Sequence, residues 1–81
     1  MNGKDLLTIR TFHRLRQTQL AGLLGVGQTY IAMIEAGERP FTQDLQTRTM
    51  QALGLSPEDV AQIIEAQAEY DAARERIAGV K

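Results

Sequence analysis

Cysteine is absent from this 81-residue chain, so neither a disulfide nor a thiolate metal site can form. A single histidine, His13, is too few for a structural zinc site. No metal and no cofactor is therefore expected. Tryptophan is missing, aromatic residues make up 5% of the chain, and there are two prolines. No apolar run approaches the length of a membrane span, and the first residues lack the apolar core of a secretory signal. No membrane association is expected, and the expected location is cytoplasmic. The carboxylates have no His or Cys partner of the kind that general acid–base or nucleophilic chemistry needs. Gly22, Gly25 and Gly27 fall in helical and turn patterns, not after a strand as in a phosphate-cradling loop. An enzyme is not expected.

What is present is ordinary globular material, 43% hydrophobic and 23% charged. The length suits one small domain over residues 1–81, near the size at which a single core is only modestly stabilising. Small domains without covalent staples often gain stability by oligomerising. The formal charge of −1 hides an asymmetry. Residues 1–42 carry five cations against three acids, net +2, and residues 43–81 carry four against seven, net −3. A basic half favours a phosphate backbone, and an acidic half discourages indiscriminate coating of one.

The basic half holds the stretch Gln17–Glu35, which reads as two short helices joined by a tight turn. Leu20, Ala21, Leu23 and Leu24 give the first of them an apolar face. Gly25-Val26-Gly27 breaks the pattern, with Val26 as an apolar plug. Ile31 and Ile34, three apart, supply the inward stripe of the second helix. This is the layout of a helix-turn-helix whose second helix enters the major groove of DNA.

The same residues resemble the phage repressor/Cro-type, lambda-repressor-like helix-turn-helix family. The pattern of Gln17, Ala21, Gly25, Ile31 and Ile34-Glu35 carries the resemblance. Leu6, Ile9-Arg10, Leu15, Gly37-Glu38-Arg39-Pro40 and Ala52-Leu53-Gly54-Leu55 extend it over most of the chain. It implies an all-α, five-helix DNA-binding domain, with a core over about residues 5–60. Gln28, Thr29 and Met33 are then expected to contact base edges, Gln28 through a bidentate pair with adenine. Arg16, Gln17, Gln19, Tyr30 and Arg39 are expected at phosphates. Arg10 and Glu35 match the family's partly buried ion pair. The chain departs from the family at Arg14, where glycine is usual, and at Arg16 and Gly27, where Ser or Thr usually caps a helix.

Read in order, residues 1–4 form a loose arm, with Lys4 available for a phosphate, and the first helix runs from near Asp5 to about Arg14. The reading helix spans about residues 28–36 and stops at Gly37. Thr42 caps a fourth helix that carries Leu45, Thr49 or Met50, and Leu53 inward and ends at Gly54. Ser56-Pro57-Glu58-Asp59 opens a fifth helix with a capping serine, a proline in the first turn and acids at its start. With no stop before Gly79, this helix extends over about residues 57–78. Ile63, Ala66, Tyr70, Ala73, Ile77 and Val80 alternate three and four apart along it, as a heptad seam does. Such a helix either folds back on its own domain or pairs with a second copy, and the dimerisation residues expected are Ile63, Ala66, Tyr70, Ala73 and Ile77. The functional expectation is a sequence-specific transcriptional regulator, a small homodimeric repressor of a phage, plasmid or mobile element bound to a double-stranded operator. The alternative is an antitoxin or antirepressor whose main role is to bind a partner protein, with autoregulatory DNA binding.

Overall fold

The computed structural model describes residues 1–78, with side chains placed through Arg76. It contains five helices: α1 (Gly3–Phe12), α2 (Gln17–Leu24), α3 (Gln28–Glu35), α4 (Gln43–Leu53) and α5 (Pro57–Ala78). No strand occurs among the described residues, as expected for an all-α domain. The expected stop at Gly79, the Val80 seam position and the side chain of Ile77 lie outside what is described.

Helices α2 and α3 are eight residues each, too short to persist alone in water. Packing supplies the difference. Ile31 and Ile34 of α3 are fully buried among Leu6, Leu20, Ala21, Leu24, Phe41 and Leu45. Burial of those two isoleucines contributes about 3–6 kcal/mol. Leu15, Val26 and Tyr30 pack around the edge of this cluster, so Val26 plugs the turn as its apolar character suggests. A second cluster joins Ile9 of α1 to Val60 and Ile63 of α5, with Met50, Leu53, Leu55 and Ile64 against it. Helix α1 thus stands between the two, packed on α3 and on α5, while α2 packs on α3 and α4.

The amino-terminal expectation is corrected. Residues 1–4 are not a loose arm, because Asn2 and Asp5 form a reciprocal capping box. The Asp5 amide donates to Asn2 Oδ1 at 3.0 Å, and the Asn2 amide donates to Asp5 Oδ2 at 2.9 Å. Helix α1 therefore begins at Gly3. A Cβ at that position would fall on the carbonyl oxygen of Ile34, so the missing side chain lets the start of α1 rest against the end of α3.

Four helix ends share one closure. After α2, α3 and α4, a glycine at positive φ (Gly25, Gly37, Gly54) lets the next amide bond back to a carbonyl of the last turn. Val26 reaches Ala21, Glu38 reaches Met33, and Leu55 reaches Met50. After α1 the same bond runs from the Leu15 amide to the Arg10 carbonyl, but Arg14 occupies the left-handed position, at φ 55°. Helix α2 also starts with half a cap: the Arg16 amide donates to Gln19 Oε1 at 2.8 Å, and the arginine side chain has no acceptor to return the bond.

Helix α5 opens with a complete box. The Ser56 amide donates to Asp59 Oδ2 at 2.9 Å and the Asp59 amide to Ser56 Oγ at 3.1 Å. The backbone bond from Ser56 and its hydroxyl hold the Asp59 carboxyl below the ordinary carboxylate value. The helix then returns along α1, where Gln67 and Asp71 face Lys4, Leu7, Thr8 and Thr11. Ile63 is withdrawn from any intermolecular seam: it is 6% exposed and seated on Ile9 and Val60 of its own chain. Its place one turn after Val60 puts it on the stripe that α1 covers.

Replacing Gly3 with alanine is expected to destabilise the domain by about 1–3 kcal/mol, the usual effect of forcing a methyl group into a close contact, as read by denaturant unfolding. Conversely, Arg14→Gly relieves a left-handed strain of about 1 kcal/mol and is expected to raise Tm by roughly 4–8 °C in a domain of this size, measured by thermal melting.

Candidate nucleic-acid interface

Helix α3 presents its residues in a fixed order around the axis, 100° apart. Ile31 and Ile34 point inward, and the opposite arc runs through Gln28, Ala32, Ala36, Thr29 and Met33. Gln28 and Thr29 are exposed, and Ala32 and Met33 are half-buried. Gly27 caps the helix without a side-chain bond, so nothing bulky stands before Gln28. Tyr30 falls beside this arc with its ring packed against the core cluster. The structure thus brings the three expected base-contacting residues onto one face and sets Tyr30 at its flank.

The site is held by a chain of hydrogen bonds that starts in α1. Arg10 Nε and Nη2 donate to the two oxygens of Glu35 at 2.7 and 3.0 Å, and Arg10 Nη1 donates to the Leu15 carbonyl at 2.8 Å. The paired side chains are 13% and 6% exposed. Glu35 Oε1 also accepts from Gln17 Nε2 at 2.9 Å, and Gln17 Oε1 accepts from Gln28 Nε2 at 2.7 Å. The expected ion pair is therefore one part of a four-residue relay, Arg10–Glu35–Gln17–Gln28, that ends on the exposed face of α3. Gln17 is half-buried, and its carboxamide is engaged at both ends inside the domain. Its backbone amide, at the start of α2, and the second Nε2–H are what it can offer a phosphate. No buried side-chain nitrogen or oxygen among the described residues lacks a partner.

Around this face Arg14, Arg16 and Arg39 are exposed, as is Gln19, whose NH₂ group remains available once its oxygen has taken the Arg16 amide. Arg39 follows α3 in a loop anchored by its own amide on the Met33 carbonyl at 3.3 Å. One bracing residue escapes a linear reading. Arg48 of α4 donates through Nη1 to the Leu24 carbonyl at 3.2 Å, at the end of α2 where the turn begins. Its guanidinium also meets Asp44 at 3.0 Å. The Asp44–Arg48 spacing of four was the available signal, but it points to a helix-surface pair and not to a bond across to α2.

Helix α5 carries six of the chain's ten side-chain carboxylates. Ala66 and Tyr70 lie one turn apart on its open side, Tyr70 being 61% exposed, and Ala73 is half-buried. Phe12, 60% exposed, lines the same shallow apolar groove as Leu55, Ile63 and Ala66. A second groove of about 770 Å³ runs between α4 and α5, lined by Met50, Leu55, Val60, Ile64 and Met1. No helix among the described residues is long and apolar enough to cross a membrane. No group of three or more His, Cys, Asp or Glu residues there is placed to hold a metal ion.

A family model described as a helix-turn-helix domain matches residues 7–63. Comparison with curated proteins and with solved structures finds no match. The matched segment contains the whole relay from Arg10 to Glu35, both helices of the motif and the braced turn between them. On this match and this geometry, the chain belongs to the helix-turn-helix domain family, of the phage repressor/Cro type that residues 17–35 resemble.

Proposed function

We propose that this DNA-binding protein is a sequence-specific transcriptional regulator, acting as a small homodimeric repressor of a phage, plasmid or mobile element. The observation that carries the reading is the exposed start of α3, where Gln28 stands with its carboxamide held by Gln17 and Thr29 beside it. In the major groove, Gln28 pairs with adenine, Thr29 meets a base or a thymine methyl, and Met33 packs on thymine methyls. Arg16, Arg39, Gln19, the Gln17 amide and, at the flank, Tyr30 meet phosphates and fix the register without reading sequence.

A domain with so few exposed cations gains affinity by doubling. A second copy packed through Ala66, Tyr70 and Ala73, with Phe12 at the edge, places two reading helices on half-sites about one helical turn apart. Two large exposed aromatics, Phe12 lining the groove with Ala66 and Tyr70 one turn beyond Ala66, support that pairing. The alternative, an antitoxin or antirepressor that binds a partner protein, is supported by the separate apolar groove between α4 and α5.

Selection from a random DNA pool is expected to return a palindromic site, and Gln28→Ala should relax preference at one position per half-site by about 1–3 kcal/mol. Affinity should fall linearly on a log–log salt plot, by about 0.9 per phosphate neutralised. No enriched site, or a flat salt response, overturns the reading. Sedimentation should give a dimer for the wild type and a monomer for Tyr70→Glu; a wild-type monomer at working concentration excludes the pairing.

A further inference from the structure

Resting on the reading of α3 as a base-reading helix, we propose that Arg14 is a further DNA-contacting residue. With Arg16 it grips the phosphodiester backbone beside the start of α2, and its left-handed conformation is kept for that contact. A non-glycine residue at φ 55° is strained, and such strain persists where function uses it. Nothing inside the domain uses this one. The side chain is exposed, and among the described residues it takes part in no ion pair.

The distribution of charge points outward. Residues 6–34 contain three arginines and no carboxylate. Arg10 is committed within the domain: Glu35 takes its Nε and Nη2, the Leu15 carbonyl takes its Nη1, and the side chain is left 13% exposed. Its charge is matched before any ligand arrives. Within this stretch, an anion approaching the start of α2 finds its cations only in Arg14 and Arg16.

The link that carries the pair is held at each backbone amide. The Arg14 amide donates to the Thr11 carbonyl at 3.0 Å and the Leu15 amide to the Arg10 carbonyl at 3.1 Å. The Arg16 amide donates to Gln19 Oε1 at 2.8 Å, and the Leu15 carbonyl accepts from Arg10 Nη1 at 2.8 Å. Leu15 packs on the core cluster, so the arginines on either side of it stay outside, two residues apart. Binding then orders two side chains and no backbone, which keeps its entropic cost low. Each guanidinium presents a planar fork that matches two oxygens of one phosphate. A glycine at position 14 would close α1 without strain, but it would bring no cation.

The test sets stability against affinity in the whole chain. Arg14→Gly and Arg14→Asn both accept the left-handed backbone and remove the charge; Arg14→Lys keeps the charge. Thermal melting should place the first two above the wild type. Titrations on the pool-selected duplex should show them binding about eightfold more weakly per protomer near about 0.1 M salt, with the log–log slope reduced by about 0.9 per protomer. Arg14→Lys should keep the wild-type slope. The selected sequence should stay the same in all three, because a lost phosphate contact weakens every sequence alike. A variant that melts higher and binds worse does not owe its loss to misfolding. Unchanged affinity and slope in Arg14→Gly overturn the proposal and leave the DNA-binding function standing. A preference altered at one base pair overturns the phosphate assignment, and a lowered Tm in both neutral variants overturns the claim that strain is kept for the contact. A wild type that selects no site removes the DNA-binding function and this proposal with it.

Discussion

The bidentate contact between Arg10 and Glu35 is the constraint on which the rest of the molecule depends. It crosses from α1 to the last residue of α3, and through the Leu15 carbonyl it also holds the link that leads into α2. Three segments distant in sequence are fixed by one guanidinium. A nearly buried pair of this kind adds little net stability, because desolvation offsets most of the attraction, yet deleting one partner costs about 3–5 kcal/mol. That is a large share of the roughly 5–15 kcal/mol that holds a domain folded. The pair acts as a geometric clamp: it forbids other placements of α3 more than it stabilises this one.

Stability and recognition make opposing demands on the segment between α1 and α2. A glycine at position 14 and a serine or threonine at position 16 would end α1 and begin α2 with less strain. The chain carries arginine at both, accepting a left-handed non-glycine residue at φ 55° and a cap completed only by Gln19. Both departures place an exposed cation beside the start of α2. In a chain of net charge −1 such cations are scarce, and the local strain is the counterpart of having them there.

The motif itself was legible because its signals are local. Two short apolar stripes, two glycines around Val26 and the Ser56–Asp59 start are read from spacings of a few residues, and the structure places each where the spacing says, except that Leu23 of the first stripe is exposed. The Arg10–Glu35 pair and the grouping of Gln28, Thr29 and Met33 came through the family resemblance joined to helical periodicity. What stayed hidden needs two elements in contact. Gly3 looks like an end-of-chain residue until the Ile34 carbonyl lies against it. Asn2 and Asp5 form a capping box, but a short polar amino end also suits an unstructured arm. Ile63 fits a heptad and fits a core stripe equally well, and only the position of α1 separates the two. The Gln17 relay and the Arg48 brace depend on side-chain directions across helices, which no linear spacing encodes.

The contact at Gly3 has an electrostatic consequence. The amino end of α1 abuts the carboxyl end of α3, so the partial positive charge of one helix terminus sits against the partial negative charge of the other. The two poles offset one another at the junction. The far pole of α3, its positive end, lies at the exposed Gln28. Counting formal charges therefore understates how attractive this face is to an anionic polymer. A glycine with no side chain, at the opposite end of α3 from Gln28, helps to leave that field at the face proposed to meet DNA.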